Sequence, residues 1–105
     1  MNGRTPTKAE RIWIDKITEL GCIVCWLQFN LYTPAGPHHM EGCRKTGCHF
    51  LTIPLCHQHH QGGANDQGAV SRHGDGKAEF ELRYGPEQYL FAKTKEMLGW
   101  STSKN

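Results

Sequence analysis

Apolar residues recur at helical spacing near the start of the chain. Thr7 and Glu10 have the spacing of a capping box, in which a hydroxyl and a carboxylate three residues later each accept a hydrogen bond from the other's backbone N–H. Apolar positions of one helix face follow at Ile12, Trp13, Ile17 and Leu20. The pattern predicts an amphipathic helix over residues 8–20 that ends at Gly21 and buries Trp13 and Ile17.

Two short extended segments are predicted in the middle of the chain. Proline and glycine between residues 33 and 37 exclude a helix interior, so residues 37–40, Pro-His-His-Met, should be extended. Residues 50–55 are typical of a strand as far as Pro54, which predicts an edge or the end of a strand. The glycine-rich, basic residues 41–47 between them predict a loop or a hairpin tip.

Glycine and proline divide the rest of the chain into a short helix, a long loop and two further helices. The short helix should begin at Cys56 and stop at Gly62 and Gly63, and the glycine-rich residues 62–76 predict a loop. Helices over residues 77–83 and 86–98 should close the chain. Apolar and aromatic residues in or just after these two helices are expected to pack the helices against the remainder of the domain: Phe80, Tyr84, Tyr89, Leu90, Leu98 and Trp100.

Size and composition favour a small domain with a structural metal. A chain of 105 residues with 37% hydrophobic residues and 12 glycines can bury only a small apolar core, and a bound metal would add folding energy. Five cysteines is an odd number, and no signal-like leader precedes them, which argues against a secreted disulfide framework. No apolar run is long enough for a membrane span. We expect one cytoplasmic domain over residues 1–105.

Two short cysteine and histidine motifs have the spacing of a zinc site. Cys22 and Cys25 form a Cys-x-x-Cys motif, and Cys56 and His59 form a later Cys-x-x-His motif. Three thiolates and one imidazole on two such motifs can bind a tetrahedral structural zinc.

Two alternatives to this ligand set are open in the sequence. Cys43 and Cys48, in the glycine-rich loop region, could replace Cys56 and His59 beside the first motif. On a helix, His59 and His60 lie about 100° apart, so either could share a metal with Cys56.

The adjacent histidines His38 and His39 indicate metal-assisted chemistry. Neighbouring side chains on a strand point to opposite faces, so His38 can bind a metal while His39, neutral near pH 7, takes a proton from water. A catalytic metal needs about three protein ligands, and His60 and His73 are the best further candidates. His49, just before the second strand, is expected to orient the site by hydrogen bonding.

The net charge of +2 is weakly basic and does not by itself indicate a nucleic-acid partner. Arg44 and Lys45 lie together in the middle of the chain and are the candidate DNA contacts.

The ordered series of motifs resembles HNH endonucleases of the ββα-metal type. The extended His-His pair, the glycine-rich basic loop and residues 52–60 carry this likeness. A longer series is similar to the phage-encoded Ref-type recombination-enhancement nucleases. Its matching stretches span residues 21–98 and comprise residues 21–25, 37–40, 52–62, 73–74 and 80–85.

The resemblance implies a small zinc-stabilised α+β domain of the ββα-metal (HNH) class, with an N-terminal helix and C-terminal helices. It implies hydrolysis of DNA phosphodiester bonds in phage or prophage recombination or processing. The implied cofactors are a structural zinc and one catalytic divalent metal, Mg²⁺, Mn²⁺ or Zn²⁺. The implied partner is a RecA filament. His38 and His60 match the metal ligands, and His39 the general base. The central asparagine of HNH enzymes would fall near Leu51, so His49 or Thr52 would take its role.

A metal-dependent DNA endonuclease or nickase is therefore the leading hypothesis. The alternative is a zinc-stabilised nucleic-acid-binding module without catalysis. A binding module explains the cysteines, but it needs no base such as His39 beside a metal ligand.

Overall fold

The computed structural model describes residues 5–40, 46–61 and 75–100. These residues form a small α+β structure of helices and one two-stranded sheet. The helices are α1 (Lys8–Leu20), α2 (Ile23–Phe29), α3 (His57–Gln61), α4 (Asp75–Tyr84) and α5 (Glu87–Leu98). The strands are β1 (Gly36–His39) and β2 (Thr52–Leu55), and a 3₁₀ turn covers Cys48–Phe50.

Helix α1 has the bounds and the capping box that the sequence predicts. The Thr7 backbone N–H donates to the Glu10 carboxylate over 2.8 Å, and the Glu10 N–H donates to the Thr7 hydroxyl over 3.2 Å. Gly21 ends the helix with φ +92°, and a Cβ there would lie 2.8 Å from the Thr33 carbonyl oxygen and the Tyr32 ring. Glycine is therefore required where the chain turns towards Cys22.

The two strands pair antiparallel and display the His-His pair. Their register places His38 opposite Ile53 and His39 opposite Thr52. Pro54 lies inside β2, opposite Pro37, and does not end the strand. The Met40 N–H donates to the Leu51 carbonyl, so these two residues form a hydrogen-bonded pair of the ladder. Hydrogen-bonded and non-hydrogen-bonded pairs alternate along an antiparallel ladder. The Pro37–Pro54 pair, three positions away, is therefore a non-hydrogen-bonded pair, in which neither residue donates to the other strand.

Two helices differ from the sequence expectations, and the predicted loops lie largely outside the described residues. The apolar stretch after Cys22 forms helix α2, for which the sequence carries no capping residue at its start. Helix α4 begins at Asp75, two residues before the predicted start at residue 77. The predicted loops are only partly described, because residues 41–45 and 62–74 lie outside the described ranges.

The core packs the helices against strand β2, whose four residues are all buried. Trp13 and Ile17 are buried as predicted, and the Trp13 ring contacts Phe91 and Trp100 edge-on. Tyr89, expected to be packed, is instead 47% exposed, although one edge of its ring lies close to Gly85. The central cluster consists of Cys22, Ile23, Val24, Cys25, Ile53, Leu55, Cys56, Phe80 and Leu90. Among the described helices, none has both the length and the apolar character needed to cross a membrane.

Candidate metal centre and histidine cluster

Helices α2 and α3 bring the two cysteine motifs together. Cys22 is the N-cap of α2 and Cys25 lies in its first turn, while Cys56 follows β2 directly and His59 lies on α3. The four potential ligand atoms all lie within 4.8 Å of one another, and the three cysteines are buried. Strand β2 packs against α2, so Cys56, which directly follows β2, lies close to the two cysteines of α2.

The distances within this group fit a tetrahedral zinc ion. His59 Nδ1 lies 3.6 Å from the sulfur of Cys22, 3.8 Å from that of Cys25 and 3.3 Å from that of Cys56. Tetrahedral bonds of about 2.3 Å to sulfur and about 2.1 Å to nitrogen would separate the two ligand atoms by about 3.6 Å. Cys22, Cys25, Cys56 and His59 therefore form a group that can hold zinc, with His59, rather than His60, as its histidine.

The competing cysteine set is not assembled in the described part of the chain. Cys48 is buried in the 3₁₀ turn and belongs to a disulfide, so its sulfur is not available as a zinc ligand. Cys43 lies outside the described residues. Within residues 5–40, 46–61 and 75–100, the Cys₃His group is the one set of three or more such ligands that lie close together.

Burial determines the electrostatics of this group. It raises the pKa of the Cys22 thiol to about 12 and lowers the pKa of His59 below its usual value. The Tyr84 ring packs edge-on against His59, with centroids 5.1 Å apart. A thiolate in this position needs a nearby positive charge, which a zinc ion supplies.

The two adjacent histidines of β1 lead to separate partners. His38 Nε2 lies 3.0 Å from Glu87 Oε2 at the start of α5, and the His38 ring packs edge-on against His60 at a centroid distance of 5.0 Å. His39 Nε2 lies 2.9 Å from His49 Nδ1 in the 3₁₀ turn. The alternation of side chains along β1 thus separates a His38–His60 pair from a His39–His49 pair.

His49 is held by a buried hydrogen-bond series. The Thr52 hydroxyl donates to the His49 carbonyl oxygen over 3.1 Å and accepts from Trp13 Nε1–H over 2.8 Å. Glu10 lies nearby. Hydrogen bonding from the Thr7 backbone is the main cause that lowers the pKa of Glu10, and His49 adds to that shift. The partner of His39 is therefore anchored to both α1 and β2.

The pKa shifts favour neutral imidazoles in this region. Burial lowers the pKa of His39, and the nearby His49 and His38 lower it further. Burial also lowers the pKa of His60, with smaller contributions from His38, His57 and His39. A neutral imidazole carries one nitrogen lone pair, which can bind a metal or accept a proton.

The structure brings together some of the sequence candidates and leaves others outside the described ranges. His38 lies beside His60, His39 lies beside His49, and the side chain of His57 is exposed. His38 and His60 together offer two imidazole donors, which suits a divalent cation. The third ligand hypothesised from the sequence, His73, and the candidate DNA contacts Arg44 and Lys45 lie outside the described residues.

Sequence reasoning missed Glu87. It is 49 residues away from His38 and follows Gly85-Pro86 at the first position of a helix. An acidic residue there is common because it complements the helix dipole, so the sequence carries no separate signal for its contact with His38.

Most of the chain matches one known protein family. The family described as "Recombination enhancement, RecA-dependent nuclease" matches residues 6–99. The matched range includes both cysteine motifs and every histidine of the sequence.

Proposed function

Because the chain belongs to the family of recombination enhancement, RecA-dependent nucleases, we propose that it is a metal-dependent endonuclease or nickase that hydrolyses DNA phosphodiester bonds. The proposal places the whole activity in one domain of the ββα-metal (HNH) type. Strand β1, strand β2 and helix α3 follow one another along the chain in the order that this fold requires, which supports the assignment.

The observation that carries the proposal is the contact between His39 and His49. An imidazole acts as a general base only if one ring nitrogen keeps a lone pair for the substrate water. In the neutral His39 ring this requires Nε2–H to donate to His49 Nδ1, which is 2.9 Å away. Nδ1 of His39 then carries the lone pair that accepts the proton.

His49 has a second consequence for the same step. After His39 takes a proton its ring is positively charged, and a hydrogen-bond acceptor at Nε2 stabilises that charge. Thr52 holds the backbone of His49 in place through a buried hydrogen bond. His49 with Thr52 would thus take the bracing role that an asparagine has in HNH enzymes.

His38 and His60 are the proposed protein ligands of a catalytic divalent cation, with His73 as the third. The rings of His38 and His60 are in contact, and burial favours the neutral form of His60 that a metal needs. A bound Mg²⁺, Mn²⁺ or Zn²⁺ would supply positive charge for the phosphate and the leaving 3′ oxygen.

The Cys₃His group is proposed to hold a structural zinc. It joins α2 to α3, and α3 also carries His60. The zinc would therefore fix the position of one proposed catalytic ligand relative to the core. Arg44 and Lys45 are proposed DNA contacts, and the proposed partner, from the family description, is a RecA filament on DNA.

A cleavage assay tests the proposal. Purified protein should cut DNA with Mg²⁺, Mn²⁺ or Zn²⁺, on single-stranded, duplex or RecA-coated substrate. His39→Ala should fold, keep its zinc and lose about 10²–10⁴-fold in rate, the usual contribution of a general base. The exposed His57→Ala serves as the matched histidine control and should cut like wild type. A wild type that binds DNA but cuts none of these substrates with any metal would support the binding-module alternative instead.

A further inference from the structure

The contact between His38 and Glu87 links the proposed active site to the C-terminal helix. The two side chains are 11% and 12% exposed, and their Nε2 and Oε2 atoms lie 3.0 Å apart. A partly buried carboxylate this close to an imidazole fixes which ring nitrogen carries the proton, since a carboxylate can only accept.

We propose that Glu87 is a positioning residue for His38: it accepts a hydrogen bond from Nε2–H and so leaves Nδ1 of His38 as the nitrogen that binds the catalytic cation. This inference rests on the proposed role of His38 as a metal ligand. Metal-ligating histidines generally donate their other ring N–H to a carboxylate or carbonyl, which fixes the tautomer and the ring orientation.

The position of Glu87 makes its side chain a rigid acceptor. It lies at the first residue of α5, directly after Pro86, whose φ of –68° sets the entry into the helix. Helix α5 is itself anchored in the core through the buried Leu90 and Thr94. The carboxylate is therefore held by the scaffold and not by a mobile loop, which is what a precise metal ligand requires of its support.

Two substitutions separate this role from a simple helix-dipole effect. Glu87→Gln removes the charge but keeps a side-chain carbonyl of the same reach, so it can still accept from Nε2–H. Glu87→Asp keeps the charge near the helix N-terminus but shortens the reach. Glu96→Gln, in the last turn of the same helix and bonded to Lys93, is the matched control.

The first readout needs neither cutting nor the catalytic cation. Nitrogen-15 NMR of the zinc-loaded protein at about pH 8, where free imidazoles are neutral, reports the protonated ring nitrogen of His38. The His38 signals are identified by their loss in His38→Gln. We expect a slowly exchanging Nε2–H in wild type, Glu87→Gln and Glu96→Gln, and its loss in Glu87→Asp. A proton on Nδ1 in wild type, or an Nε2–H that survives in Glu87→Asp, would overturn the inference.

The second readout is Mn²⁺ affinity by calorimetry. Glu87→Gln and Glu96→Gln should bind like wild type, and Glu87→Asp should bind about 10–100-fold more weakly. Equal affinity in all four proteins, or a loss in Glu87→Gln with none in Glu87→Asp, contradicts a positioning role through the hydrogen bond. If wild type neither binds Mn²⁺ nor cuts DNA, the proposed function fails, while the NMR experiment still decides the hydrogen bond.

Discussion

His39 and His49 form a direct imidazole–imidazole contact, with Nε2 of the first 2.9 Å from Nδ1 of the second and the ring centroids 5.0 Å apart. The contact joins the end of β1 to the 3₁₀ turn before β2. One ring must donate and the other accept, so the protonation of the two residues is coupled. His49, buried to 8% exposure, is in turn held by Thr52. The proposed base is thus oriented by a side chain with fixed support.

Removing the His49 ring should slow cleavage without abolishing it. His49→Ala would leave His39 able to take a proton but free to rotate, and without the acceptor that stabilises its charged form. We expect a rate loss of about 10–100-fold, the range typical of groups that orient an active residue, and smaller than that of His39→Ala. Cleavage rates at saturating metal measure this. Equal rate losses in the two variants would mean that His49 takes part in the chemistry directly.

Loss of one cysteine of the Cys₃His group should release zinc and destabilise the fold. In Cys56→Ala the three remaining ligands cannot complete a tetrahedral site, and the loss of a structural metal costs on the order of 4 kcal/mol or more. Metal analysis and thermal unfolding measure the two effects. His57→Ala, at the next residue, should keep both zinc and melting temperature. Unchanged zinc in Cys56→Ala would show that the metal is held elsewhere.

Zinc binding to the metal-free protein should release protons. Burial raises the pKa of the Cys22 thiol to about 12, so this thiol is protonated at neutral pH without metal, whereas zinc binds thiolates. Zinc affinity should therefore fall as the pH is lowered. Calorimetry in buffers of different ionisation enthalpy counts the released protons. Binding heats that do not depend on the buffer would contradict coordination by this cysteine.

Thr52→Val should destabilise the protein although the two side chains have nearly the same shape. The substitution leaves the buried Trp13 Nε1–H without its acceptor and removes the bond to the His49 carbonyl. An unsatisfied buried donor costs about 1–3 kcal/mol. Denaturant unfolding measures the loss. Thr94→Val is the control, because the buried Thr94 hydroxyl donates to the Leu90 carbonyl of its own helix and accepts from no other described residue. An equal loss in both variants would contradict the special role of Thr52.

The stability contribution of Glu10 should depend on pH. Hydrogen bonding from Thr7 holds the folded-state pKa of Glu10 below the usual value of a glutamate carboxyl. A carboxyl with a lowered folded pKa adds stability above the unfolded pKa and loses it as the pH falls through the folded pKa. Wild type should therefore melt above Glu10→Gln at pH 7, with the difference shrinking below about pH 4.5. A difference in melting temperature that does not change with pH would contradict this assignment.

Local spacing determined much of this protein from the sequence alone. The bounds of α1, its capping box and its end at Gly21 were predicted, since each depends on residues within a few positions of one another. The spacing of Cys22 and Cys25, and of Cys56 and His59, likewise predicted the Cys₃His group. These features follow from the periodicity of helices and short ligand motifs, which a sequence displays directly.

Only the tertiary structure decided the partners of the histidines. The choice of His59 over His60 depended on which α3 side chain lies beside the cysteines of α2, and the contact of His38 with Glu87 depended on how α5 packs against the sheet. Packing and strand register determine which side chains meet when their elements are many residues apart, and the composition does not predict this. The sequence therefore identified the reactive residue types, while the fold gave His38, His39 and His59 their neighbours.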